Sequence, residues 1–133
     1  MIIGLGNDLV DIRRIEQSIE RFGDRFLHRV FTRGELEKAA ARTTDRHAQA
    51  GVLAKRFAAK EACVKAIGKE GVSWLDMEVC NLPSGKPVLH LSGGAKARLE
   101  AQLPDDREAQ IDLTMADEYP MAQAIVIISA VKT

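Results

Sequence analysis

The chain has 133 residues, 46% of them apolar and 29% charged, which suits one compact domain over 1–133 and excludes a multidomain machine or a disordered chain. Lys plus Arg and Asp plus Glu number 19 each, so no global field draws the protein to nucleic acid or an anionic membrane. Any electrostatic partner has to be read from local charge.

Cys63 and Cys80 stand alone, without a CxxC or any metal-ligand spacing, so neither a disulfide framework nor a cysteine zinc site is expected and a reducing cytoplasm is the simplest home. The N-terminus has no basic region before an apolar stretch. No apolar run approaches the ~20 residues that span a bilayer.

In chain order, Ile2–Leu5 reads as a short buried strand that ends in a turn at Gly6-Asn7-Asp8. Leu9, Ile12, Ile15 and Ile19 then repeat at helical spacing, predicting a first helix over about 9–21 with Asp8 as a possible N-cap and Asp11 at N3. Helices follow near 24–30 and, after a Thr32-x-x-Glu35 capping box, over 34–42. A long helix is expected from about Asp45 to Ile67, with Gly68 as its stop.

Beyond it the period changes. Residues 76–80 and 87–91 flank Ser84-Gly85-Lys86 and predict a β-hairpin with a longer loop. A helix near 95–102 comes next, and strands at 111–115 and 122–131 close the chain around Asp117-Glu118-Tyr119-Pro120. Helices gathered early and hairpin strands gathered late make an α+β domain.

The long helix carries the unusual chemistry. At 100° per residue, Leu53, Phe57, Val64 and Ile67 form one apolar stripe, and Ala54, Ala58, Glu61 and Lys65 a second face beside it. Small alanines let another chain or a ligand approach the backbone, while Glu61 and Lys65 present a carboxylate and an ammonium at i and i+4. Taken in isolation, an ordinary surface pair worth ~0.3–0.5 kcal/mol is the better account of those two. Lys60 points into the middle of the apolar stripe, so burial there requires an anion or a route to water. Gly4-x-Gly6 invites a dinucleotide-binding reading, which fails because Leu9 replaces the third glycine. His28, His47 and His90 show no metal spacing, Cys63 has no identifiable base, and Trp74 and Tyr119 are too few for a base-stacking platform.

Taken together, three blocks of the sequence resemble the holo-acyl-carrier-protein synthase family of small phosphopantetheinyl transferases. They are Gly4-Leu5-Gly6-Asn7-Asp8-Leu9-Val10-Asp11-Ile12-x-Arg14-Ile15, Lys55-Arg56-Phe57-Ala58-Ala59-Lys60-Glu61-Ala62-x-x-Lys65-Ala66, and Gly85-Lys86-Pro87. The resemblance implies an antiparallel sheet packed against the long helix. It also implies Mg²⁺-dependent transfer of 4′-phosphopantetheine from coenzyme A to a serine of an apo acyl carrier protein, serving fatty acid synthesis or a specialised pathway. Members of the family are typically trimers with active sites between subunits.

On that likeness Asp8 and Glu61 would bind Mg²⁺, Arg56, Lys60 and Lys65 would face phosphate oxygens, and Lys86 would lie near the nucleotide. Arg14, Arg21 and Arg25 would meet the acidic carrier protein. Glu61 or a solvent molecule on the metal would take the serine proton. Two departures stand out: Gly68-Lys69-Glu70-Gly71 replaces a Gly-Thr-Gly-like turn, and Asp117 stands where a histidine is common. A non-catalytic module binding coenzyme A or carrier protein, and a Mg²⁺-dependent nucleotide hydrolase, remain as other readings of the same residues.

Overall fold

The computed structural model describes residues 1–133, the side chain of Arg46 excepted. The elements are β1 (Ile2–Asp11), α1 (Ile12–Phe22), α2 (Asp24–Val30), α3 (Arg33–Arg42), α4 (Arg46–Ile67), a 3-10 turn (Trp74–Asp76), β2 (Met77–Asn81), β3 (Pro87–Leu91), α5 (Gly93–Glu100), β4 (Arg107–Glu118) and β5 (Met121–Lys132). Strands β1, β5 and β4 form one antiparallel sheet in that order, and β2 with β3 forms a separate hairpin.

The central strand explains how α4 is seated. On β5, Ala122, Ala124, Val126, Ile128 and Ala130 alternate inward and are buried, as the period of two requires. They meet the small side chains Ala54, Ala58, Ala59 and Ala62 of α4, which expose nothing to solvent. Asp45 caps that helix by accepting the His47 N–H at 3.0 Å. Gly68 ends it with φ 91°, a left-handed conformation open to glycine at little cost. The Thr32–Glu35 capping box at the start of α3 is formed in both directions, as the sequence predicts.

Three boundaries differ from expectation. The first strand does not stop at Leu5: Gly6, Asn7 and Asp8 pair with Val126, Ile125 and Ala124 of β5, and the ladder runs on to Asp11 opposite Met121. Glycine weakens a strand locally, but the tertiary ladder and the packing on α4 override that tendency. Helix α1 therefore begins at Ile12, capped by Asp11, whose carboxylate accepts the Arg13 N–H at 2.9 Å. Asp8 is not its cap, and Leu9 lies exposed on the strand. Strand β4 runs several residues beyond 111–115 at both ends, while β5 exceeds 122–131 by one residue at each end, because Arg107 to Glu118 pairs continuously with Lys132 to Met121.

The outer face of the sheet is unevenly apolar. Leu5 and Leu9 are both at least 60% exposed, and Leu5 sits opposite the half-buried Ile127. Between them, Gln123 donates to the Asn7 side chain at 3.0 Å.

Candidate functional site

Two glycines place the first functional residue. Gly4, Gly6 and Asp8 share one face of β1 by strand alternation, and that face lies directly on the backbone of α4. A Cβ added to Gly6 would sit 1.7 Å from the Ala62 carbonyl oxygen, and one added to Gly4 would sit 2.7 Å from that of Ala66. The Gly-x-Gly pattern is thus a seam for close strand–helix approach, and it carries Asp8 to the helix face that bears Glu61 and Lys65. Lys65 Nζ donates to Asp8 Oδ1 at 3.0 Å and to the Asn7 carbonyl at 2.9 Å. The lysine reaches across to the strand rather than back along its own helix to Glu61.

Asp8 and Glu61 line one cavity of about 260 Å³, with Arg14 and Ser18 of α1 on its rim and Phe26 and Phe57 as apolar walls. The Glu61 carboxyl is held above its ordinary range, first by burial and then by the neighbouring Asp8 charge, with Lys65 opposing both. Two neighbouring carboxylates, backed by a lysine, form a donor set suited to a hard divalent cation. Among the described residues no cluster of three or more His, Cys, Asp or Glu accompanies them. Further ligands would have to come from solvent or substrate.

Lys60 is corrected by the structure. It is fully buried, and its ammonium donates to Glu35 Oε1 at 2.6 Å, to the Val30 carbonyl at 2.7 Å and to the Trp74 carbonyl at 3.3 Å. All three protons are occupied within the protein, so the side chain does not line the carboxylate cavity or face a phosphate there. Burial lowers its pKa from the usual lysine range, and Glu35 counteracts the shift. Glu35 is the anion that a lysine in an apolar stripe requires. Its other contacts, the N–H groups of Thr32 and Val79 at 2.9 Å each, tie α3, α4 and β2 together.

Arg56 also lies apart from the carboxylates. Its guanidinium is buried, donating to the Val52 carbonyl at 3.1 Å and to Asn81 Oδ1 at 3.0 Å, while Nε has no partner. It faces a second cavity, of about 490 Å³, which also takes Lys38, Arg42, Lys55, Asn81 and Gly85 and no carboxylate. Lys86 follows Gly85 in the loop between β2 and β3. Lys38 and Arg42 join this basin without having stood out in the sequence, where their i, i+4 spacing on α3 is the available signal.

Asp117 lies on β4 with its carboxylate 2.9 Å from Lys55 Nζ, outside the Asp8–Glu61 cavity. Arg14 borders that cavity, whereas Arg21 and Arg25 are exposed on α1 and α2. The predicted residues thus fall into a carboxylate cavity (Asp8 and Glu61, with Lys65 bonded to Asp8), a cationic basin (Arg56, with Lys86 next in sequence to its Gly85), an exposed arginine surface, and a buried anchor (Lys60).

A carboxylate pair set apart from a cationic basin is the equipment of an enzyme acting on a phosphate-bearing substrate. The model of the 4′-phosphopantetheinyl transferase superfamily matches residues 4–124, and the chain belongs to that family. It is 58% identical over 130 residues to the holo-[acyl-carrier-protein] synthase of Paramagnetospirillum magneticum, covering 98% of each chain. Among solved structures it resembles the holo-[acyl-carrier-protein] synthase of Neisseria meningitidis (32% identity, TM-score 0.81, 97% of this chain and 99% of that one). It also resembles the Helicobacter pylori enzyme in complex with coenzyme A (27% identity, TM-score 0.76, 94% and 99%). The expected α+β fold, with an antiparallel sheet against the long helix, is the one observed.

Proposed function

We propose that this chain, acting as one domain, is a holo-acyl-carrier-protein synthase that moves 4′-phosphopantetheine from coenzyme A to a serine of an apo acyl carrier protein. The convergence of Asp8 and Glu61, distant in sequence, on one cavity beside Lys65 carries the reading. The serine oxygen forms a bond to the β-phosphorus of the coenzyme A pyrophosphate. The bond from that phosphorus to the bridging oxygen breaks, and adenosine 3′,5′-bisphosphate leaves.

Charge builds on the phosphate oxygens, so fixed cations matter more than a protein nucleophile. Asp8 and Glu61 suit a Mg²⁺ ion, which when bound supplies Lewis-acid polarisation of phosphate oxygens. Lys65, held by Asp8 and the Asn7 carbonyl, presents its remaining proton to a phosphate. Glu61 suits acceptance of the serine proton. Phe26 and Phe57 exclude water on one side of the cavity.

The basin around Arg56, Lys38 and Arg42 suits the nucleotide phosphates, with Lys86 nearby. Because it lies apart from the carboxylates, the reading includes a homotrimer in which the basin of one copy completes the cavity of another. The apolar outer sheet face, with Leu5 and Leu9, supports such contact. Arg14, Arg21 and Arg25 suit the acidic surface of a carrier, here assigned to fatty acid synthesis. The free thiols Cys63 and Cys80 suit a reducing cytoplasm, and no helix of the described residues is long and apolar enough to cross a membrane.

Incubation with apo carrier, coenzyme A and Mg²⁺ should add one phosphopantetheine mass to the carrier. Glu61→Gln should remove most of the rate while the fold survives. Mixing inactive Glu61→Gln and Arg42→Ala subunits should restore activity if sites are shared. Tight coenzyme A binding with no mass shift on any carrier would sink the transfer reading, and no recovery on mixing would sink the shared site.

A further inference from the structure

Four cations line the basin between α3, α4 and the β2–β3 loop: Lys38, Arg42, Lys55 and Arg56. Among the described residues only Lys55 is paired with a carboxylate, that of Asp117. The pair is half-sheltered, with side-chain exposures of 18% for Lys55 and 40% for Asp117, so its charges are screened less than those of a fully solvated pair. Asp117 does not line the basin. It approaches Lys55 from the β4 side, beside Gly51 of α4, and draws the ammonium toward the sheet. Arg56, in contrast, is buried with Nε unpartnered, and Lys38 and Arg42 carry no ion pair among the described residues.

We propose that Asp117 determines how tightly the basin holds its phosphate-bearing ligand, by withdrawing Lys55 from the set of free cations. The inference rests on the reading above, in which the basin takes the nucleotide end of coenzyme A and its product. An anion entering the basin meets three positive charges that form no ion pair among the described residues, while Lys55 and Asp117 together present a dipole. The same nucleotide moiety is bound before transfer and must leave afterwards. A fourth free cation would tighten substrate and product alike, which lowers KM without helping the chemical step and slows release. Asp117 is thus a positioning residue that sets ligand affinity through Lys55.

The test is calorimetric titration of adenosine 3′,5′-bisphosphate into the full chain, into Asp117→Asn and Asp117→Ser, and into Asp117→Asn combined with Lys55→Met. Removing the carboxylate frees one unit charge several ångströms from the ligand, which in a partly screened site should tighten binding about 5-fold. The product-inhibition constant in the transferase assay should tighten by the same factor. Adding Lys55→Met should return the affinity to within about twofold of the unsubstituted chain, as the charge count does.

A purely structural Asp117 gives the opposite sign, because loss of an anchor loosens the basin and weakens binding. Unchanged or weaker binding in both single variants overturns the proposal, as does tightening that survives Lys55→Met. If the unsubstituted chain turns over carrier but does not bind the nucleotide, the placement of the nucleotide in the basin fails and the proposal with it. If it binds the nucleotide and Asp117→Asn leaves the affinity unchanged, only the role of Asp117 fails.

Discussion

Gly6→Ala probes the seam on which the carboxylate cavity depends. The new Cβ would lie 1.7 Å from the Ala62 carbonyl oxygen and 2.6 Å from its carbon, and both are backbone atoms that no rotamer change can move. Ordinary contact needs about 3.4 Å, so β1 has to lift by roughly 1.5 Å or α4 has to yield. Overpacking of this kind costs about 1–3 kcal/mol. Asp8 lies two residues further along the same face and is carried away from Glu61 and Lys65. A displacement near 1 Å in a phosphoryl-transfer site costs on the order of 10²-fold in rate. Gly4→Ala, with its nearest contact at 2.7 Å, should be milder in both respects. Urea denaturation and the initial rate of carrier mass shift measure the two effects. A Gly6→Ala protein with an unshifted midpoint and a rate within twofold of the parent would refute the close-seam account.

Lys60→Met or Glu35→Gln alone should cost about 3–5 kcal/mol by leaving a buried charge or donor uncompensated, whereas replacing both with apolar residues should recover most of that loss; thermal unfolding of the three variants decides it. Asp11, whose carboxyl the Arg13 guanidinium and N–H lower from 3.8 to about 2, stabilises the start of α1 above pH 3.8, and this contribution is lost as pH falls through about 2. Acid unfolding of Asp11→Ala should therefore show a shallower slope in that window than the parent. Cys63, buried with its thiol pushed up to about 12, should resist an aromatic disulfide reagent at pH ~8 until the protein unfolds. Rapid labelling of Cys63 in the native protein would contradict its burial.

The helical half was legible because its signals are local. The Thr32–Glu35 box, Asp45 before α4 and Gly68 after it all act within one or two turns of their own residues. The first strand was not, since Gly6-Asn7-Asp8 is a turn by local chemistry and a strand only once β5 and α4 are present. In the candidate site, Asp8, Glu61 and Lys65 come together as the motif implied. Arg56 and Lys60 diverge from them, and the helical wheel already indicated this for Lys60. Residues 56 and 60 share one face and 61 and 65 another, so a contiguous motif serves two sides of the helix. Glu35 was visible only as a cap. Its second role as partner of Lys60 needed the fold to bring α3 against α4. The meaning of Asp117 likewise depended on a contact with Lys55 that no spacing along the chain reveals.

The spacing between β1 and α4 is set by peptide carbonyls against bare α-carbons, not by the bulk of interdigitated side chains. Rotamer hopping and thermal loosening, which widen a normally packed layer, have little purchase on such a joint. The line from Gly4 through Gly6 to Asp8 should therefore hold its dimensions while the aliphatic layer around Val126 and Ile128 is redesigned or warmed. A chain built this way can drift widely in its interior and still keep Asp8 in place beside Glu61 and Lys65.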